Sequence, residues 1–323
     1  MNQTSQAYRL ASYLARDVPR AGMVVDDRLL DVSQALNGSA TRRPEPPPMS
    51  ALEVLQRWDD IHPRLQAIAR QVRDGQEPSM AQPLSSVRLA APILFPGTIF
   101  CAGANYRDHV VEMSRALNLP PEPDPHELGL KPWHFIKASA ACVRGPDSPI
   151  ALPAYSKKVD WEAEIALVIG RECRDVTIER AMSHVAGLTI VNDLSARDHI
   201  RRSGVPSESP FCFDWVSQKS FDGALPMGPW ITPLEEIPEP GRLGIRLWVN
   251  QELMQDSSSA NLIFSMAEQV SHLSSRLTLR PGDVIATGTP AGCGAARGRF
   301  LKAGDRVRIQ VEGVGELNND FTS

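Results

Sequence analysis

Three carboxylates stand where the sequence could bring them together. In DWEAEIALVIGR, Glu162 and Glu164 are two residues apart, and an extended strand, whose side chains alternate between faces, points both the same way. Trp161, Ala163 and Ile165 then face the opposite side. Thirty residues on, the apolar run GLTIVND ends in Asp193, so a second strand can deliver a third carboxylate at its end. Like charges that close repel and raise one another's pKa unless something positive compensates them. A hard divalent cation is the simplest compensator, and all-oxygen ligation points to magnesium, manganese or calcium rather than zinc. Spacing alone favours the blander alternative, a solvated face of an edge strand; the apolar flanks, which read as buried core, shift the balance toward a site.

A second pattern lies upstream. CAGANYRDHVVEM sets His109 and Glu112 at i and i+3, one above the other on a helical turn. A carboxylate so placed can orient an imidazole and stabilise its protonated form, as expected of a general base that deprotonates water. The competing reading is a surface pair on a short helix.

The surrounding elements must position these groups. The first forty residues, with YRLASYL and AGMVVDDRLLDV, read as short strands and turns, followed by the Pro-rich RRPEPPPMS. From 51 to 73, Leu52, Leu55, Trp58, Ile61, Leu65, Ile68 and Val72 recur every three or four residues and predict one amphipathic helix. Texture changes near residue 90, after which PGTIFCAG, WHFIKAS, EIALVIG, VAGLTIVND, LGIRLWVN, GDVIATG and DRVRIQVEG read as strands. A further helix is expected over 259–276, where Leu262, Met266, Val270 and Leu273 keep helical spacing. Between the histidine motif and the paired glutamates, NLPPEPDPHELGLKPW, residues 118–133, follows neither period and reads either as a surface loop or as a mobile cover.

Bulk properties narrow the function. At 323 residues the chain can bury a large core without disulfides. Its five cysteines are scattered and never in CxxC spacing, so neither a disulfide framework nor a zinc cluster is indicated, and a reducing cytoplasm is the expected setting. No segment approaches the roughly 18 apolar residues of a membrane span, so a soluble protein is expected. A net charge of -4 and dispersed basic residues argue against nucleic acid as a partner.

Taken together and in order, CAGANYRDHVVEM, FIKASAACVRGPDSPI, DWEAEIALVIGR, GLTIVNDLSARD, QKSFDGALPMGPWI, LRPGDVIATGTPAGCG and VEGVGELNND resemble the fumarylacetoacetate hydrolase family of divalent-metal enzymes. The resemblance implies a mixed, β-rich α+β fold: curved mixed sheets around the metal over residues 91–323, preceded by a small N-terminal α+β domain over 1–90, with the chain assembled as a homodimer. It implies Glu162, Glu164 and Asp193 as ligands of Mg2+ or Mn2+, with Ca2+ as a further option. His109 becomes the general base with Glu112 as its partner, in a segment, 110–133, that orders over bound ligand. Lys219 faces the site and offsets negative charge, and Gly288 and Thr289 receive a substrate carboxylate, the glycine letting backbone amides approach an anion. Arg197 and Asp198 are expected to form a structural ion pair. Two positions depart from the family pattern. Ala102 stands where the largest members have an additional metal-binding aspartate, so the three-carboxylate form applies, and Ile200 stands where glutamine is common and cannot hydrogen-bond a ligand.

The expected chemistry follows. A 2-oxo carboxylate can chelate a divalent ion through a carboxylate oxygen and its keto oxygen. The resemblance then implies a hydrolase that cleaves a C–C bond in an acylpyruvate-type 2-oxo acid. The alternative is a decarboxylase, hydratase or isomerase of unsaturated 2-oxo or 2-hydroxy dicarboxylic acids from aromatic catabolism. A noncatalytic binding protein is the third reading, against which His109, Glu112 and Lys219 stand together.

Overall fold

The computed structural model describes residues 8–38, 47–76 and 80–323. Part of the Pro-rich stretch, residues 42–46, lies outside them.

Three N-terminal strands, β1 (Arg9–Ala15), β2 (Val18–Val25) and β3 (Arg28–Asp31), form successive hairpins. Arg16 and Asp17 both have positive φ, the two-residue turn whose twist matches flanking strands. The helix expected over 51–73 is two helices, α1 (Ala51–Gln56) and α2 (Trp58–Arg73). Arg57 separates them with φ -119° and ψ 32°, its N–H turning back to Val54 O at 3.1 Å while its carbonyl starts the next helix. The apolar stripe survives the break, because Leu55, Trp58, Ile61 and Leu65 are all buried.

The chain then gives β4 (Ile99–Ala102), α3 (Arg107–Ala116), β5 (His134–Lys137), β6 (Ala163–Ile169), β7 (Val185–Asn192), α4 (Trp215–Lys219), β8 (Leu225–Pro233), β9 (Gly244–Val249) and β10 (Glu252–Ser258). It closes with α5 (Met266–Arg276), β11 (Val284–Ala286), β12 (Arg306–Val311) and β13 (Gly315–Thr322). Helix α5 starts later than the spacing implied. Ser259–Asn261 is a separate short turn, and the regular helix begins only after Ser265, whose side chain caps it in a reciprocal box with Glu268. The segment 110–133 also divides, since 110–116 complete α3 and the irregular chain runs from Leu117 to Trp133.

Among the described residues the largest sheet runs β3-β2-β1-β8-β7-β6-β11-β4-β5. Most neighbours are antiparallel, but β11 lies parallel to β4, so the sheet is mixed. A second sheet runs β10-β9-β12-β13 and ends on the short strand Ile150–Ala151. The architecture is therefore α+β with mixed sheets. Strands β6 and β7 are buried along their whole length, which is why their sequences read as continuous apolar runs rather than alternating ones. Their side chains share one apolar cluster with Leu10, Met23 and Trp58 from the N-terminal segment.

Candidate metal centre

The carboxylates converge because of strand register. Ala163 pairs with Asn192 and Glu164 with Val191, and the pairing runs one step past β7, where Asp193 N–H donates to Glu162 O at 2.9 Å. The Asn192 side chain locks the same corner by accepting from Glu162 N–H at 2.9 Å. One ligating oxygen from each of Glu162, Glu164 and Asp193 lies within 4.8 Å of the others. Relative exposures of 5%, 1% and 1% remove the edge-strand reading, since a solvated face would be open to water.

Burial makes the charge balance decisive. Lys219, closing α4, places Nζ 2.8 Å from Glu162 Oε2 and 2.7 Å from Asp193 Oδ2. Lys137, closing β5, donates to Asp193 Oδ1 at 2.5 Å and to Leu194 O at 3.1 Å. Arg197 donates through Nε to Asp160 Oδ2 at 2.9 Å and through Nη2 to Glu162. Asp160 in turn accepts from Gly294 N–H at 2.7 Å and Ala295 N–H at 3.0 Å. Within this cluster, then, three cations meet the four carboxylates of Asp160, Glu162, Glu164 and Asp193.

Glu164 is the one left over: its Oε2 accepts the Gly288 N–H at 2.7 Å, and no cation among the described residues pairs with it. Burial, reinforced by Asp193 and Glu162, pushes its carboxyl well above the usual range. Burial also pushes Glu162 upward, but Lys219 and Arg197 outweigh it and hold that carboxyl well below the usual range. Lys219 is stabilised as the ammonium, Asp193 and Glu162 more than offsetting its burial. An all-oxygen triad with one uncompensated carboxylate fits a hard divalent ion held by Glu162, Glu164 and Asp193. With that ion the cluster would carry a net positive charge, suited to an anionic substrate.

His109 and Glu112 do lie on one face of α3, but no hydrogen bond joins them. Glu112 Oε2 instead accepts the Gly292 N–H at 2.8 Å, docking α3 on the loop after β11. The His109 Nδ1 is buried and has no partner among the described residues. Burial pushes the imidazole below its ordinary range, against an upward pull from Glu162, so it is neutral near pH 7. The expected Arg197–Asp198 pair is likewise replaced: Arg197 turns into the carboxylate cluster, while Asp198 accepts from Ser156 Oγ at 2.5 Å and Lys157 N–H at 2.9 Å.

Gly288 and Thr289 border the centre. Gly288 has φ 101°, and a Cβ there would sit 2.9 Å from the Asn105 Cβ, so the amide that reaches Glu164 requires glycine. Asn105 fixes this loop by donating to Thr287 O at 2.8 Å and Phe264 O at 3.0 Å. The Thr289 hydroxyl accepts from Gln255 Nε2 at 2.9 Å and keeps its own proton to donate. Ile200 ends the turn that carries Arg197, and its carbonyl accepts from Asp214 N–H at 3.0 Å.

The sequence pattern did not single out Lys137, Asp160 or Gln255, and it gave Arg197 a different partner. Lys137 carried a readable signal, a lysine ending the apolar run HFIK. Arg197 and Asp160 did not, because their partners are set by the turns around β6 and β7 rather than by spacing.

Comparisons with known proteins bear on the same site. The family model described as fumarylacetoacetate (FAA) hydrolase C-terminal matches residues 98–322. The mitochondrial oxaloacetate tautomerase fahd2 of Xenopus laevis is 39% identical over 238 residues, 73% of this chain and 68% of that protein. Maleylpyruvate hydrolase from Sphingobium sp. SYK-6, solved with manganese(II) and pyruvate, superposes with TM-score 0.72 at 27% identity, covering 97% of this chain and 98% of that one. The 2-hydroxyhepta-2,4-diene-1,7-dioate isomerase from Mycobacterium marinum gives TM-score 0.68 at 28% identity, with 98% of each chain covered.

Proposed function

This chain belongs to the fumarylacetoacetate hydrolase family, and on that premise we propose that it is a divalent-metal hydrolase cleaving a C–C bond in an acylpyruvate-type 2-oxo acid. The observation that carries the reading is the buried triad of Glu162, Glu164 and Asp193, with His109 nearby, whose buried Nδ1 has no hydrogen-bond partner among the described residues. A bound Mg2+ or Mn2+, held by Glu162, Glu164 and Asp193, would bind the 2-oxo acid head and stabilise negative charge on its keto oxygen.

The chain's own groups supply the rest. His109, neutral at working pH, accepts a proton from water, and the water oxygen adds to the distal carbonyl. The bond between that carbon and the pyruvate methylene breaks, leaving a carboxylic acid and the pyruvate enolate, which takes up a proton to give pyruvate. Lys219, kept cationic by Glu162 and Asp193, lowers the cost of the negative charge that develops. The Thr289 hydroxyl, its acceptor side filled by Gln255, has a proton to offer a substrate carboxylate.

The test is product analysis with acylpyruvates and magnesium or manganese. Pyruvate plus the matching acid, with kcat reduced roughly 10²- to 10⁴-fold in His109→Ala, supports the reading; full activity of that variant overturns it. A second reading, an isomerase, tautomerase or decarboxylase of unsaturated 2-oxo acids, is favoured by Ile200, whose side chain cannot hydrogen-bond a ligand, and by the likeness to the tautomerase and isomerase above. Carbon dioxide release, or an absorbance change without fragmentation, would select it. Assembly as a homodimer belongs to the same proposal and is read by light scattering.

A further inference from the structure

We infer that Trp133, Phe135 and Trp215 form a wall that sets substrate specificity. It selects 2-oxo acids whose distal end is flat and apolar, an aryl or conjugated group, over those ending in a second carboxylate. The inference rests on the proposed 2-oxo acid site and names the part of the substrate which that site leaves open.

Two elements that reach the carboxylates with a lysine also carry an aromatic ring on the same face. On β5, Phe135 precedes Lys137 by two, so strand alternation puts both on one side, and Trp133 stands two residues earlier again. On α4, Trp215 precedes Lys219 by four and shares its helical face. Lys137 and Lys219 end on Asp193 and Glu162. Following either element away from the metal centre therefore leads from an ammonium to an aromatic surface.

The rings meet there. Phe135 and Trp215 stack at 5.5 Å between centroids with planes 20° apart. Trp133 lies edge-on to Trp215 at 6.0 Å and 66°, and tilted against Phe135 at 6.1 Å. Lys219 Nζ sits 4.8 Å from the Phe135 centroid, which ties the cluster to the carboxylates. Trp133 has a built seat: a Cβ on Gly103 would come within 1.9 Å of its Cζ2, so the indole lies flush on the backbone just after β4.

These rings are not simply core. Trp133 and Trp215 remain 48% and 39% exposed, leaving indole surface open beside a buried charged centre. The ammonium facing them, Lys219, is already shared by Glu162 and Asp193, so it is not free to receive a second carboxylate. A flat group gains stacking on such a surface, whereas a carboxylate would lose solvation without gaining a partner.

The experiment uses the manganese-loaded enzyme with benzoylpyruvate, acetylpyruvate and fumarylpyruvate. Wild type is expected to favour benzoylpyruvate over the other two in kcat/KM by about tenfold, the scale of one or two ring contacts. In Trp133→Ala and Trp215→Ala that preference should fall about tenfold, with Trp133→Phe retaining most of it. Binding is read separately by calorimetry with phenylpyruvate and pyruvate, which need no C–C hydrolysis. If no acylpyruvate is cleaved but phenylpyruvate binds tighter than pyruvate only when Trp133 is present, the hydrolase reading fails and the wall stands. Cleavage with no aryl preference, or a preference unchanged in both tryptophan variants, overturns the wall and leaves the hydrolase intact.

Discussion

The main-chain N–H of Asp193 donates to the carbonyl of Glu162 at 2.9 Å, and this one bond brings together ligands 31 positions apart. It extends the β6/β7 ladder one step beyond Asn192, so the main chain that carries the Asp193 side chain is fixed beside Glu162. Ligands held this way lose little freedom when they bind an ion, and the charge they concentrate has to be balanced by neighbours.

Glu164 supplies the clearest test of that balance. Its carboxyl is held above the usual range by burial and by Asp193 and Glu162, so Glu164→Gln should leave the metal-free fold at least as stable as wild type. The amide oxygen can still accept from Gly288 N–H. Manganese at about 100 times its Kd should stabilise wild type by about 2.7 kcal/mol and the variant far less. Thermal unfolding with and without manganese measures both, and an equal shift in the two proteins would rule out Glu164 as a ligand.

Lys137 should behave in the opposite sense. Its Nζ is buried against Asp193 and Leu194 O, so Lys137→Met should cost about 3 kcal/mol without metal. Saturating manganese would resupply positive charge and shrink that loss. Urea unfolding in the two conditions decides it, an unchanged loss meaning that Lys137 contributes packing rather than charge.

Glu112 separates two roles. Because its oxygen accepts the Gly292 N–H and does not touch His109, Glu112→Gln should keep kcat within a few-fold while Glu112→Ala lowers it by undocking α3. A collapse of kcat in Glu112→Gln comparable to that of His109→Ala would show instead that the negative charge of Glu112 supports the imidazole.

His126 predicts a pH dependence in the segment 117–133. It reaches Glu268 Oε1 at 3.0 Å and Asp124 Oδ1 at 3.2 Å, with its ring 4.7 Å from Phe264. The hydrogen bond to Glu268 outweighs partial burial, helped by Asp124, and raises its pKa. A raised folded-state pKa means the contribution is fully present below the unfolded value of about 6.5 and lost as pH rises through the folded one. The Tm difference between wild type and His126→Ala should therefore be larger at pH 6 than at pH 9, and small throughout because the pair is solvent-exposed. A difference that grows with pH would show that the protonated imidazole of His126 does not hold the segment to Glu268.

Much of the architecture was legible because it depends on local pattern. The strands around EIALVIG and VAGLTIVND are legible as apolar runs bounded by turn residues, His109 and Glu112 lie on the helix that their spacing suggests, and the ordered motifs carry the family. Local pattern failed where a turn decided direction. Arg57 split an otherwise unbroken helical stripe, and Ser265 moved the start of α5 to its capping box. Glu112 and Arg197 kept their predicted places in the chain but found other partners, since hydrogen-bond partners depend on what the neighbouring loops present.

For the metal centre, the sequence by itself determined the residue types and the spacing that lets Glu162, Glu164 and Asp193 share a face. Only the tertiary structure decided that they are buried, and that Lys137, Lys219 and Arg197 leave Glu164 uncompensated. The reason is physical: side-chain alternation is a property of one strand, whereas desolvation and charge balance belong to everything packed around it.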